Sequence, residues 1–247
     1  MSNKYWRNII VKGDYHAQFQ GLKEFLQDNQ TTRDDLLICL GDVGVNYNLD
    51  FHDEERKKFL SKLPITFLML RGNHETRPEN VLAMQKIYDE RFQCEVYTEP
   101  QYPNIYYINC GEFYLNDMRC LAISGAYSVD KPYRLMMGWN WFPDEQPTED
   151  EKDMVRETVN ENPVFDYVFS HTAPLSKEPT HLFLSNINQS KVDKSTEIFL
   201  EEIYQAIDRD ALGLWYVAHF HHDEWLGGGV RLLYHDYDFI LNAGENE

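Results

Sequence analysis

Five short apolar runs of this chain end in the same kind of chemistry. NIIVKGDYH, LLICLGDVG, FLMLRGNHE, YVFSHTAP and LWYVAHFHH each close on Asp, Asn or His. Short apolar runs bounded by turn residues read as buried strands, and helical spacing between several of them gives the alternation of an α/β chain. In such a fold the loops at the carboxyl ends of neighbouring strands face one crevice, so Asp14, His16, Asp42, Asn73, His74, His171, His219 and His221 are expected to converge there. A single Asp-x-His is weak evidence, because a His after a strand is more often a loop residue making a hydrogen bond. Five such endings in succession outweigh that reading. The mixture of carboxylates, imidazoles and one amide suits Mn, Fe or Zn better than Ca or Mg.

The spaces between the runs carry helical patterns. Phe19, Leu22, Phe25 and Leu26 follow the first run, Phe59, Leu60 and Leu63 the second, and Val81, Met84, Tyr88 and Phe92 the third, each set predicting a helix over one face of a sheet. Around residues 104–127 the pattern changes to two β-rich stretches joined across Asn116 and Asp117, which predicts antiparallel strands and hence a mixed sheet or two packed sheets. The acidic stretch 143–153 reads as a loop into a helix, with Thr148 as N-cap and Glu151 three residues on. A further helix is expected over about residues 196–208, from Phe199, Leu200, Ile203, Tyr204 and Ile207. Gly227, Gly228 and Gly229 read as a hairpin turn, since no helix pattern follows them to make a phosphate loop.

Composition narrows the classes. With 247 residues, 43% hydrophobic, the chain can fill one core, and a single domain over 1–247 is the expectation. Lys and Arg number 23 against 41 Asp and Glu, a net charge of −18 that opposes binding to long nucleic acid. No apolar stretch reaches the length of a membrane span, and Lys12, Gly13 and Asp14 interrupt the amino-terminal run before a signal-peptide core forms, so a soluble, cytoplasmic protein is expected. Cys39, Cys94, Cys110 and Cys120 are widely spaced, without a CxxC pair, and are read as reduced.

The order GDYH, GD, GNHE, SH and HFH resembles the motifs of the calcineurin-like metallophosphoesterases, over residues 13–221. The resemblance implies a four-layer α/β/β/α sandwich, two mixed sheets flanked by helices, with two divalent metal ions at the carboxyl ends of the strands. Carried over motif by motif, it implies that Asp14, His16 and His221 hold one metal and that Asn73, His171 and His219 hold the other. Asp42 would bridge the pair, and His74 would stay unligated and face the substrate. Chemistry gives these residue types a reason. Two cations ~3.5 to 4 Å apart repel unless an anion such as the Asp42 carboxylate lies between them, and together they lower the pKa of a shared water enough for direct attack on phosphorus. A protonated His74 could then give its proton to the leaving oxygen.

Two departures matter. Many relatives continue the second motif as Gly-Asp-x-x-Asp-Arg-Gly, where the Asp pairs with the catalytic His and the Arg grips phosphate; here Val45 and Asn46 stand in those places. That argues against a protein Ser/Thr phosphatase, although LRGNHE is similar to that subgroup's third motif, and it leaves His74 without an assigned partner. Ala218 replaces the Gly expected before the fifth motif, a small-for-small change. Lys131 and Arg134, in YSVDKPYR, are candidates to replace the phosphate clamp, with Asn46 as a further substrate contact; salt bridges to the neighbouring acidic stretch are the competing use of the two cations. Trp139, Trp141 and Phe142 either bury apolar surface or stack a base or an aryl leaving group.

Three functions follow from this reading. The first is a metal-dependent phosphomonoesterase, with manganese as the expected metal, acting on a small-molecule or peptide-borne phosphate ester. The second is a phosphodiesterase or nuclease on cyclic or short nucleotides, which the missing Asp-Arg pair favours and the acidic balance disfavours for polymers. The third is a non-catalytic scaffold of the same fold, for which eroded ligands would be expected.

Overall fold

Strands β1 (Ile9–Lys12), β2 (Leu36–Cys39) and β3 (Thr66–Leu70) are the first three apolar runs, and they pair in parallel, each with the next. The computed structural model describes residues 5–185 and 187–241; the first four residues of the amino-terminal stretch discussed above, residue 186 and 242–247 lie outside the described residues. Beyond β3 the first sheet continues with β4 (Gln85–Asp89), β5 (Cys94–Thr98) and β6 (Ile105–Ile108). With β13 (Tyr237–Leu241) on the other edge, its order is β13-β1-β2-β3-β6-β5-β4. The second sheet, ordered β11-β12-β10-β9-β8-β7, contains β7 (Gly111–Leu115), β8 (Met118–Ile123), β9 (Tyr167–Ser170), β10 (Leu214–Val217), β11 (Glu224–Gly227) and β12 (Val230–Leu232).

Alternation along the strands explains why two sheets lie face to face. Ile9, Val11, Leu36, Ile38, Leu68 and Leu70 point from the first sheet into one cluster with Cys120, Ala122, Phe169 and Tyr216 of the second. Their neighbours Ile10, Leu37, Cys39, Phe67 and Met69 point the other way, against Leu22 and Leu26 of α1 (Leu22–Asp28) and Leu60 of α2 (Phe51–Leu60). After β8 comes the short helix α3 (Lys131–Met137), and on the far side Leu121, Ile123, Val168, Trp215 and Val217 pack on α4 (Glu149–Glu161) and α5 (Ser195–Ala206). Both faces of each central strand are thus buried, which is why the runs are continuously apolar. The layers run helix, sheet, sheet, helix, as the resemblance implied. Each buried Leu or Ile contributes roughly 1.5 to 3 kcal/mol of transfer free energy.

Thr148 caps α4 as the sequence predicts: its hydroxyl accepts from Glu151 N at 3.2 Å, and Glu151 Oε2 accepts from Thr148 N at 2.8 Å. The turn at Asn116 and Asp117 joins β7 to β8 with Leu115 opposite Met118, and Asn116 takes a left-handed φ of 57°. The β-rich stretch around 104–127 is nevertheless divided, since β6 pairs with β3 and β5 in the first sheet. The helix expected over Val81, Met84, Tyr88 and Phe92 is absent. That segment forms β4, which turns back as an antiparallel hairpin on β5, with Ile87 opposite Val96 and Lys86 paired to Glu95. Backbone hydrogen bonds along the sheet edge override an apolar spacing that happens to match a helix. Among the described residues no helix is long and apolar enough to cross a membrane, and the four cysteines form no disulfide.

Candidate metal centre

The five endings do converge, and the backbone at Asp42 is where they are tied. Its carbonyl accepts from Tyr15 N at 3.2 Å and His16 N at 2.7 Å, while its Oδ1 accepts from His74 N at 2.8 Å. Loops after β1, β2 and β3 are thereby fixed to one residue. The loop after β10 joins through His219 N, which donates to Asp14 Oδ1 at 3.3 Å. His16, Asp42, His219 and His221 all have left-handed φ values, of 45°, 49°, 71° and 53°. Such backbone costs on the order of 1 to 3 kcal/mol per residue and persists where surrounding contacts enforce it, as at functional sites. Close approach also explains Gly72: a Cβ there would lie 2.0 Å from Asp42 Oδ1.

Asp14, His16 and His221 bring their donor atoms within one cation's reach. His221 Nε2 is 3.1 Å and His16 Nε2 3.5 Å from Asp14 Oδ2, and the two imidazole nitrogens are 2.8 Å apart. A second convergence lies deeper. His171 Nδ1 donates to the Leu40 carbonyl at 2.7 Å, which fixes the tautomer and turns Nε2 toward Asn73 Oδ1 at 2.9 Å and Asp42 Oδ2 at 3.6 Å. Asn73 presents that oxygen because its amide nitrogen donates to Ser128 Oγ at 3.0 Å. An imidazole lone pair, an amide oxygen and a carboxylate oxygen facing one another repel unless a cation or a proton lies among them. The donor set fits divalent cations. His219 stands beside this second set, its ring 5.0 Å from that of His171, and is not drawn into either three-residue group; His16, Asp42 and His74 form the other such group.

The electrostatics have the same cause. Burial works against ionisation of Asp42, but the surrounding His171, His74 and His16 imidazoles overcome it and hold the carboxyl well below the usual range. Asp14 is likewise held down, by His16 and His221 against burial. Burial alone would lower His171, yet Asp42 and Asp14 push it up to about 9, the mark of a pocket that demands positive charge. His219, half-buried beside His171, is driven down to about 3, by desolvation first and by His171 next, and stays neutral.

His74 Nε2 lies 4.0 Å from Asp42 Oδ2 and 3.8 Å from Asp130 Oδ2. Asp130 thus stands where the second motif fails to supply a carboxylate. Arg134, a candidate phosphate contact, is fully buried: it donates to Asn140 O and to Ser128 Oγ at 2.8 Å, the same hydroxyl that orients Asn73, and lies 3.6 Å from Asp130 Oδ1. Lys131 lies over the Trp141 ring at 3.8 Å, and Asn46 is buried, its carbonyl accepting from Thr76 N. Trp139 is exposed and Phe142 buried.

Two cavities meet at the centre, and both include His16, Asp42 and His74. One, of about 550 Å³, is polar and lined by Tyr47, Asp50, Arg56, Trp139 and Asn140. The other, of about 340 Å³, is walled by Val129, Leu182, Phe183, Val192 and Phe220. Sequence reading missed Ser128, Asp130 and Arg56. The first two were within reach, because CLAISGAYSVD is a further apolar run that ends in polar side chains. Arg56 comes from the middle of α2 and carries no such signal.

Known proteins were compared with this geometry in hand. No curated protein matches the chain. The family model for calcineurin-like phosphoesterases matches residues 7–225. One solved structure superposes with a TM-score of 0.53 over 94% of each chain at 13% identity, which shows a shared fold. Phosphopantetheinyl hydrolase from Mycobacterium tuberculosis is similar at 16% identity, over 96% of this chain and 90% of its own, with a TM-score of 0.44. The protein TT1561 of Thermus thermophilus gives 16% identity, 92% and 88% coverage and a TM-score of 0.47. The family match spans the motifs from Asp14 to His221 and the layers are those the motifs require, so the chain belongs to the calcineurin-like phosphoesterases, a family of metal-dependent phosphoester hydrolases.

Proposed function

We propose that this protein is a phosphomonoesterase using two divalent cations, manganese first among them, on a small or peptide-borne phosphate ester. The observation that carries the reading is that Asp14, His16 and His221 face one point, while His16 and His171, the latter joined by Asn73, reach the carboxylate of Asp42. Asp14, His16 and His221 would hold one cation and Asn73, His171 and His219 the other, with Asp42 shared. When bound, the cations supply the positive charge that attracts phosphoryl oxygens and makes water acidic enough to attack near neutral pH.

The chain's own groups do the rest. His74 stands at the rim of both cavities, where its Nε2 can give a proton to the departing oxygen. Burial lowers its pKa, and Asp42 and Asp130 oppose that loss, so Asp130 helps to keep the proton available. Arg56, whose guanidinium is anchored on Gly44 O at 3.0 Å and Asp53 Oδ1 at 3.1 Å, is the cation nearest to hand in the polar cavity for a phosphoryl oxygen. A net charge of −18 disfavours long nucleic acid, and four unpaired cysteines fit a reducing, cytoplasmic location.

The two cavities favour one other reading, a phosphodiesterase, since each side of the centre could take one substituent on phosphorus. Hydrolysis of an aryl phosphomonoester beside the matching diester, with added manganese, bound metal counted and Asp42→Asn as the blank, separates the two. Faster monoester hydrolysis supports the proposal and faster diester hydrolysis replaces it. No hydrolysis and no bound metal would leave a scaffold.

A further inference from the structure

The apolar cavity beside the centre is built for something other than phosphate. Leu182, Phe183, Val192, Phe220 and Val129 wall it, and it runs up to His74, Asn73 and His219 without a break. The Phe183 and Phe220 rings have centroids 6.2 Å apart and planes 23° apart, too close for another ring to enter between them. Glu197 also lines the cavity. One of its carboxylate oxygens accepts from Thr172 Oγ1 at 3.0 Å, and the other, buried, has no hydrogen-bond partner among the described residues. Lys194, paired with Glu178, covers the Phe183 ring at 4.6 Å.

Apolar side chains supply most of the wall's surface, with Gln189, Lys194 and Glu197 as polar points, so a leaving group that is apolar over most of its surface is favoured over one that is polar all round. An apolar ring gains by burying its surface there, and a single N–H or O–H donor on that ring would satisfy the orphaned Glu197 oxygen. We propose that this cavity holds the leaving group of the substrate, and that the substrate is the phosphate ester of an apolar, ring-bearing alcohol carrying a hydrogen-bond donor. The inference rests on the phosphoesterase reading for its reaction, and on the cavity alone for its specificity. Burial of Glu197 pushes its carboxyl up to about 7, so near neutral pH the ionised form is populated, and that form accepts such a donor at the free oxygen.

The test uses the manganese-loaded protein with two pairs of compounds. Phenyl and 2-naphthyl phosphate have leaving groups of similar basicity and differ by one apolar ring; phenyl- and 2-naphthylphosphonate are their analogues for binding by calorimetry. The naphthyl member should be favoured about tenfold or more in kcat/KM, through KM, and by a similar factor in Kd. Phe183→Ala, on a loop outside the sheets, should reduce both preferences to about twofold. Hydrolysis without a naphthyl preference, or a preference that Phe183→Ala leaves intact, overturns the inference and spares the phosphoesterase reading. Naphthylphosphonate binding that depends on Phe183, with no hydrolysis of either ester, would keep the cavity's assignment and remove the reaction. Equal binding of both phosphonates overturns the inference whatever the turnover.

Discussion

Asp130 Oδ2 stands 3.8 Å from His74 Nε2, although the two residues come from loops after strands of different sheets. In relatives with the longer second motif a carboxylate from that motif meets the catalytic His; here Val45 occupies its place and Asp130 approaches from the other sheet. Asp130→Asn keeps the shape and removes the charge. It should lower kcat on alkyl phosphates about a hundredfold, lower it much less on p-nitrophenyl phosphate, and leave KM nearly unchanged, because a proton donor matters most to a basic leaving oxygen. Equal losses on both esters would mean that Asp130 supports the loop and does not serve His74.

Ser128 occupies the centre of a buried hydrogen-bond network. Its hydroxyl receives from Asn73 Nδ2 at 3.0 Å and Arg134 at 2.8 Å, and donates to Glu145 Oε2 at 2.6 Å. Ser128→Ala leaves the Asn73 amide without the partner that fixes its orientation, so manganese affinity at one of two sites should fall about 10- to 100-fold. Metal titration by calorimetry should give two steps in the parent protein and one weakened step in the variant. Two unchanged steps would mean that Asn73 is held by other contacts.

Gly72 tests the bridge by sterics alone. A methyl group at this position would meet Asp42 Oδ1 at 2.0 Å and Asp42 N at 2.5 Å. Gly72→Ala must therefore move Asp42, and on the proposed reading activity should fall at least about a hundredfold together with metal content, as a misplaced catalytic group predicts. Retention of two metals and full rate would contradict the position given to Asp42.

Much of this was legible because strand ends and ligands fall together in the chain. GDYH, GD, GNHE, SH and HFH each follow a run buried on both faces, and that pattern alone locates Asp14, Asp42, Asn73, His171 and His219. The β4–β5 hairpin was not legible, because Val81, Met84, Tyr88 and Phe92 repeat at helical spacing while the edge of β6 offers backbone partners that no local pattern reveals. Arg134 misled for a different reason. Charge in a sequence suggests solvent or phosphate, whereas this guanidinium is buried because Asn140 O and Ser128 Oγ satisfy it. The apolar cavity takes much of its wall from residues 182–184 and 187–192, whose spacing has no period to read.

Lys57 and Glu99 form a buried ion pair at 2.5 Å, with side chains 3% and 1% exposed. Breaking such a pair leaves a charge without a partner, so Lys57→Met should destabilise by about 3 to 5 kcal/mol. Adding Glu99→Gln should recover a large part of that, because the stranded carboxylate is gone. Urea unfolding of the single and double variants measures both values. A double variant no more stable than Lys57→Met would mean that the lysine's packing, and not its charge, is what α2 requires.

Glu197 links the apolar cavity to stability. Burial raises its carboxyl from 4.5 in the unfolded chain to about 7 in the fold, against the hydrogen bond from Thr172 that favours ionisation. The folded protein therefore binds more protons than the unfolded chain between those values, and stability falls as pH rises from about 4.5 through 7. Glu197→Gln removes the proton linkage and keeps an acceptor for Thr172. Over that window the parent should lose on the order of 3 kcal/mol relative to the variant. Urea midpoints at pH 5 and pH 8 decide it: the variant should gain on the parent at the higher pH. Parallel shifts of both proteins would place the Glu197 carboxylate in contact with water, and with it would go the orphaned oxygen that favours a hydrogen-bond donor on the leaving group.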